Sequence, residues 1–401
     1  MKKFCCLLLF VSMVSGMATT SGFANEEAPK PNRAILLKID GLHPETIERF
    51  DLPHLQALRM RGTSAETGIL HFPAHPTVGA YGEWHTTSFP NVSTLAGTAF
   101  LTERPRFLQH VLRSRGKTLH AAGSAAYQSL NSGFDYALTT SGISDEALID
   151  FVIGTFEAEG DIAFARIMLQ ETGIAGRVES GKNLADQPWA QNIFHPNAPY
   201  RAALEKADRQ IGRLLDFLQA RGQLEDTLFV VMGDGQSPYG WHLTLDEEAA
   251  LTPLIFAGPS VAEGRTIDHA ENIDVAPTIA ALMGLSPPNS DGGAGLVLSD
   301  VLSNSETVEH PRPLARINDQ IRSYRLIHAR AVLAAATDPR MNLLLMELAH
   351  ERLSEHQFFT PERIMEWREA RDLTEVIAAN DWVLETLRLA LDEKVYRFGT
   401  L

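Results

Sequence analysis

The sequence predicts an α/β fold on a mostly parallel sheet, from three observations. Short apolar runs alternate with helix-length stretches from residue 33 to about residue 300. Two of the runs end in an aspartate beside glycine. Ala34-Ile35-Leu36-Leu37-Lys38-Ile39 leads into Asp40-Gly41, and Thr227-Leu228-Phe229-Val230-Val231-Met232 leads into Gly233-Asp234-Gly235. Between them, Arg201 to Gln219 carries Ala203, Leu204, Ala207, Ile211, Leu214, Leu215 and Leu218 at helical spacing, closed by Gly222. In open α/β sheets ligands bind beyond the carboxyl ends of the strands. Asp40 and Asp234 are therefore the first candidate site residues, two carboxylates from distant segments that can meet across a metal ion. The plainer alternative is a pair of turn aspartates preceding glycine.

The remaining elements follow in order. Leu254-Ile255-Phe256-Ala257 reads as a short strand stopped by Gly258-Pro259. Asp274 precedes a helix-like run, Val275 to Met283, ended by Gly284, the pattern of a capped helix. Composition shifts at Pro287-Pro288-Asn289-Ser290-Asp291-Gly292-Gly293, and strand signals vanish after about residue 312. Amphipathic stretches such as Met341 to Leu353 and Leu373 to Leu391 follow. This divides the chain into residues 1–24, an α/β domain at 25–311 and a helical C-terminal region at 312–401, which serves as a partner-binding surface or as extra helices covering the sheet.

Residues 1–24 have the form of a secretory signal. Lys2 and Lys3 precede the mostly apolar Phe4 to Val14, and Gly22-Phe23-Ala24 offers cleavage before Asn25. The apolar run is too short to span a bilayer, and no later segment is long and apolar enough. A periplasmic or secreted protein is expected. Both cysteines, Cys5 and Cys6, lie within the signal, so the mature chain uses no thiolate for catalysis or metal binding. The formal charge is −15, from 35 basic and 50 acidic residues. That sign argues against nucleic acid as the main partner, because a phosphate backbone needs a concentrated basic surface.

Five segments, in this order and spacing, resemble the alkaline phosphatase superfamily, especially type I phosphodiesterase/nucleotide pyrophosphatase members and their sulfatase-like relatives. They are Leu37-Lys38-Ile39-Asp40-Gly41-Leu42 with Pro44; Leu52-Pro53-His54-Leu55-Gln56-Ala57-Leu58; Thr87-Ser88-Phe89-Pro90-Asn91 with Gly97; Ala203 to Asp208 leading to Asp234; and Pro253-Leu254-Ile255, Gly258-Pro259 and Asp274-Val275-Ala276-Pro277-Thr278. The resemblance covers about two-thirds of the chain and leaves out the helical tail. It implies a three-layer alkaline-phosphatase-like sandwich and two divalent metals that clamp the attacking and leaving oxygens of a displacement. Carried over by position, Asp40 and Asp234 ligate one metal, Ser88 is both nucleophile and ligand, and His242 serves the second metal.

The departures from that pattern bear on function. The family's Asp-His-Gly reads Asp234-Gly235-Gln236, and its Asp-x-x-Gly-His aligns with Gly173-Ile174-Ala175-Gly176-Arg177. Three metal ligands are thereby lost, one of them to a permanent cation. One metal rather than two is expected, and among zinc, manganese, magnesium and calcium the harder ions suit carboxylate and hydroxyl donors better. Glu171 is a candidate substitute for the lost aspartate, and His71, His75 and His85 are further candidate ligands. Arg177 is expected to offset the missing metal's charge by gripping the anion. Each residue also has a plainer reading: Ser88 as a turn or helix cap, His242 as a surface histidine and Arg177 as an exposed loop arginine.

A formylglycine sulfatase is excluded by the absence of arginine after Ser88-Phe89-Pro90-Asn91-Val92 and of cysteine from the mature chain. No Gly-x-Ser-x-Gly elbow appears. The expected function is a secreted, metal-dependent hydrolase of phosphoric esters with Ser88 as nucleophile, acting on a small-molecule or lipid-linked phosphoester. The alternative is an inactive relative that binds or scaffolds an envelope partner, using the pocket or the helical tail.

Overall fold

The computed structural model describes residues 29–69, 107–178, 186–241, 248–288, 297–304, 312–351, 366 and 374–398. The signal-like segment, Ser88, His242, and His71, His75 and His85 all lie outside the described residues.

The strands are β1 (Arg33–Ile39), β2 (Gly62–Ile69), β3 (Lys117–Ala122), β4 (Tyr136–Thr139), β5 (Ile162–Leu169), β6 (Thr227–Gly233), β7 (Leu254–Ala257) and β8 (Arg265–Glu271). They form one eight-stranded sheet in the order β4-β3-β5-β1-β6-β7-β2-β8. β7 alone runs against its neighbours, β6 and β2; the other described pairings are parallel. Central β1, β5 and β6 are buried along their whole length. Both faces of a parallel sheet are covered by helices, which is why these strands read as continuous apolar runs rather than alternating ones.

Residue parity on β1 sorts the two faces. Ile35, Leu37 and Ile39 join one core with Leu148, Val152, Leu204, Ile211 and Leu218. Those partners come from α4 (Asp145–Ala158) and α6 (Pro199–Ala220), and α2 (Pro53–Met60) adds Leu55 and Leu58. Ala34 and Leu36 face the opposite core, built with α3 (Leu108–Leu112) and α7 (Val275–Leu282). Two helical layers around a mostly parallel sheet are the expected sandwich, in an alkaline-phosphatase-like α/β fold. The short α1 (Thr46–Arg49) and α5 (Glu171–Val178) complete this part of the chain.

The expected helix at 201–219 begins two residues earlier because Pro199 takes the first turn, where its missing N–H is harmless. The strand at Leu254–Ala257 and the helix from Val275 are also present. Asp274 corrects the expected cap. It already lies in a helical conformation at the end of a 3-10 turn, so its carboxylate turns back to accept the Glu271 N–H at 3.1 Å instead of capping α7.

The C-terminal region is helical, with α8 (Arg312–Ala335), α9 (Pro339–Glu351) and α10 (Thr374–Arg388). Ile327, Met341, Leu344, Leu348, Val383, Leu384 and Leu387 form a core of their own. Gln320 ties α8 to α10 by donating to Ile377 O and Asp381 Oδ1. Among the described residues no helix is long and apolar enough to cross a membrane.

Asp208, on α6, accepts the Leu55 N–H at 2.8 Å and the His54 N–H at 3.2 Å. It therefore caps α2 from a neighbouring helix. Asp208→Ala should lower stability by about 1–2 kcal/mol, measured as a shift of the urea midpoint, with Asp208→Asn retaining part of the loss.

Candidate active site

β1 and β6 are parallel neighbours in the register Ile39↔Gly233, so the residues that follow them, Asp40 and Asp234, emerge side by side at the carboxyl edge of the sheet. The structure thus brings together the two aspartates singled out from the sequence. Gly41 turns the chain with φ +67. Its N–H donates to Asp234 Oδ1 at 2.8 Å, and its carbonyl accepts the Tyr200 hydroxyl at 2.7 Å. Burial pushes the Tyr200 hydroxyl well above its ordinary pKa, so it stays a proton donor.

Two side chains that were not singled out as site residues complete the arrangement. Lys38 Nζ lies 2.9 Å from Asp234 Oδ2, with both side chains almost wholly buried, at 1% and 3% exposure. The same ammonium faces the Tyr127 ring at 5.6 Å. Gln170 Nε2 donates to Asp40 Oδ2. Lys38 does stand out in the sequence as a charge inside an apolar strand, since buried lysine is rare unless paired. Nothing local marks Gln170, whose role depends on β5 lying beside β1.

Gly173 falls against Asp40: a Cβ there would lie within the Asp40 carboxylate. The Gln236 side chain is fully buried between Gly41 and Gly176. Cβ atoms on those glycines would stand 2.8 Å from Gln236 Oε1 and 2.7 Å from Gln236 Nε2. Neither polar atom of that amide has a hydrogen-bond partner among the described residues. On the alignment above, Gly173 stands where the family pattern has a ligand aspartate, and Asp40 packs against it.

Behind Lys38, Arg166 is also fully buried and lies over the same Tyr127 ring at 5.2 Å. An arginine only donates, so His120 Nε2 accepts from Arg166 Nη1, and the opposite ring nitrogen, Nδ1, carries the proton given to Asn131 Oδ1 at 2.8 Å. His43 has the other tautomer. Its Nδ1 accepts the Glu45 N–H at 3.2 Å, so Nε2–H points to Glu248 Oε2 at 3.2 Å.

Glu171, the candidate substitute ligand, pairs with Lys206 at 2.9 Å. Arg177 is exposed on α5 with its guanidinium 4.8 Å from the Trp241 ring centroid, a contact at the rim of the site rather than with the strand-end carboxylates.

The described residues do not fit a divalent metal. Of the expected donors, Asp234 is paired with an ammonium, Asp40 accepts an amide, and no group of three or more histidine, cysteine, aspartate or glutamate side chains converges among the described residues. A structural metal usually has three or four protein ligands. A divalent ion about 4 Å from the Lys38 ammonium would also meet repulsion of about 8 kcal/mol at an effective dielectric of about 20.

Two predictions follow from this packing. Gly173→Ala should destabilise the protein by about 1–3 kcal/mol by overpacking against Asp40, measured by urea unfolding. Asp145 Oδ1 accepts the Gln170 N–H at 2.8 Å and the Glu171 N–H at 3.4 Å, holding the start of α5. Burial raises its pKa from the ordinary 3.8 to about 6, with Glu171 adding to the rise and Lys206 opposing it. The folded state therefore keeps a proton that the unfolded chain releases. That contribution to stability is complete below about pH 4 and is lost as pH rises through 6, about 3 kcal/mol in all. Asp145→Asn keeps an acceptor for the Gln170 N–H, and in thermal unfolding from pH 4 to 7 it should flatten this slope.

Known proteins share both sequence and fold with this chain. It is 32% identical over 101 residues to the choline-sulfatase of Rhizobium meliloti, a match covering 24% of this chain and 20% of that protein. It is 33% identical over 104 residues to the N-acetylglucosamine-6-O-sulfatase of Bacteroides thetaiotaomicron, covering 24% and 19%. These matches span about a fifth of each relative's length. The phosphonate monoester hydrolase of Agrobacterium radiobacter superposes with a TM-score of 0.54 at 13% identity, over 69% of this chain and 78% of that one. The lipoteichoic acid synthase of Listeria monocytogenes gives 0.51 at 16% identity, over 68% and 76%. Likeness at this identity establishes the fold. The sulfatase family model matches residues 79–285, a stretch that includes Ser88, Gly173, Arg177, Asp234 and His242 and makes up just over half of the chain. The chain belongs to the sulfatase family.

Proposed function

We propose that the protein is a hydrolase of sulfate or phosphate esters whose reaction takes place at the carboxyl ends of β1 and β6. The observation that carries this reading is the convergence of Asp40 and Asp234 at that edge of a sulfatase-family fold. Within it, phosphoric esters are the favoured substrates and Ser88 the nucleophile, because the segment lacks both the cysteine and the downstream arginine of formylglycine sulfatases. The Ser88 oxygen attacks phosphorus and gives up its proton, and the bond to the leaving alcohol breaks as that alcohol takes a proton. Water then releases the phosphoryl group from Ser88. Arg177, exposed and stacked on Trp241, supplies positive charge for the anionic ester. The signal-like N-terminus supports export, and so a substrate outside the cytoplasm, either a small phosphoester or one linked to lipid.

A second reading has its own support. The pairing of Lys38 with Asp234 and the loss of ligand side chains at Gly173 favour an inactive relative that binds an envelope partner. The helical region exposes the apolar side chains of Leu333, Leu343 and Met346, which would suit that role.

Turnover of p-nitrophenyl phosphate, bis(p-nitrophenyl) phosphate and p-nitrophenyl sulfate separates the readings. Hydrolysis of a phosphoester, lost by at least ~10³-fold in Ser88→Ala with an unchanged melting temperature, supports the hydrolase. An equal rate in Ser88→Ala removes the nucleophile assignment. Absence of turnover on all three substrates favours the binding protein.

A further inference from the structure

We propose that the Lys38 ammonium takes the place of a divalent metal ion in this crevice, so that the strand-end Asp234 holds a cation supplied by the chain itself. The inference rests on geometry and is independent of the hydrolase reading. Lys38 rises from the central strand, in register with Met232 on β6, and reaches Asp234 Oδ2 at 2.9 Å. Its position has the features of a dedicated cation site. A carboxylate lies on one side and the face of Tyr127 on another, and there is almost no access to water. Asp234 is oriented for this contact by the Gly41 N–H on its other oxygen. Asp40 is turned toward the Gln170 amide.

The surrounding residues fit the same assignment. Gly173 leaves room for the Asp40 carboxylate, and Gly41 and Gly176 leave room for the Gln236 amide, so among the described residues the protein's own groups pack closely beside Asp40 and its turn. The second buried cation, Arg166 over the same ring, makes a divalent ion in this layer still less favourable.

The test uses the full chain and reads metal content and melting temperature, so it does not depend on whether any ester is hydrolysed. Wild-type protein is equilibrated with calcium, magnesium, manganese or zinc, desalted and analysed by mass spectrometry, alongside thermal melts with each metal and with EDTA. The expected result is metal far below one equivalent and a melting temperature unmoved by metal or chelator. In Lys38→Ala the exposed carboxylates should acquire affinity, seen as up to one equivalent of metal and a melting temperature several degrees higher with metal than with EDTA. Near-stoichiometric metal in the wild type that disappears in Asp234→Asn would overturn the proposal. A folded Lys38→Ala that still takes no metal would also overturn it, because the carboxylates would then have no cation affinity for Lys38 to satisfy. If Lys38→Ala does not fold, the wild-type measurement decides alone.

Discussion

The ion pair between Lys38 and Asp234 is the constraint on which the rest of the site depends. Burying either charge alone would cost several kcal/mol, and removing one partner of such a pair is strongly destabilising because the other is left uncompensated. The pair also organises its surroundings. With Oδ2 toward Lys38, Asp234 has Oδ1 available for the Gly41 N–H; that fixes the turn after β1, and the Gly41 carbonyl receives the Tyr200 hydroxyl from α6. A parallel chain runs through Asp40. Its carboxylate accepts from the Gln170 side chain, while the Gln170 backbone is held by Asp145 at the start of α4. Two helices, α4 and α6, are thereby tied to the ends of the central strands by buried polar groups, and the apolar faces supply most of the burial around them.

This arrangement sets the electrostatics available for chemistry. Asp234 is paired with Lys38, and Arg166 lies over the same Tyr127 ring as that ammonium. At the rim, the exposed Arg177 rests on Trp241. The fold is that of sulfate and phosphate ester hydrolases, yet the donors at its centre suit an ammonium better than a divalent ion. Charge supplied by a tethered side chain is fixed in amount and position, whereas a metal brings two charges and open coordination positions for substrate. A site organised in this way relies on preorganised side chains, which is a general route to stabilising developing charge in a low-dielectric crevice.

The sequence by itself determined the fold class, the central strands and several helices. Those elements are set by local pattern: continuous apolar runs for strands buried on both faces, and 3.6-residue spacing for helices such as Pro199–Ala220. It also named Asp40 and Asp234, because an acidic residue directly after a buried strand stands out in one dimension. What Asp40 and Asp234 hold was decided only by the tertiary structure. Lys38 faces Asp234 because β1 and β6 are adjacent and in register, and Gln170 reaches Asp40 because β5 lies on the other side of β1. Asp274 looked like a cap until the preceding 3-10 turn rotated it back, and the pairing of Glu171 with Lys206 was likewise invisible in one dimension. Strand and helix propensity act over a few neighbouring residues. The partner of a buried charge is chosen by strand order and register, which join residues nearly two hundred positions apart.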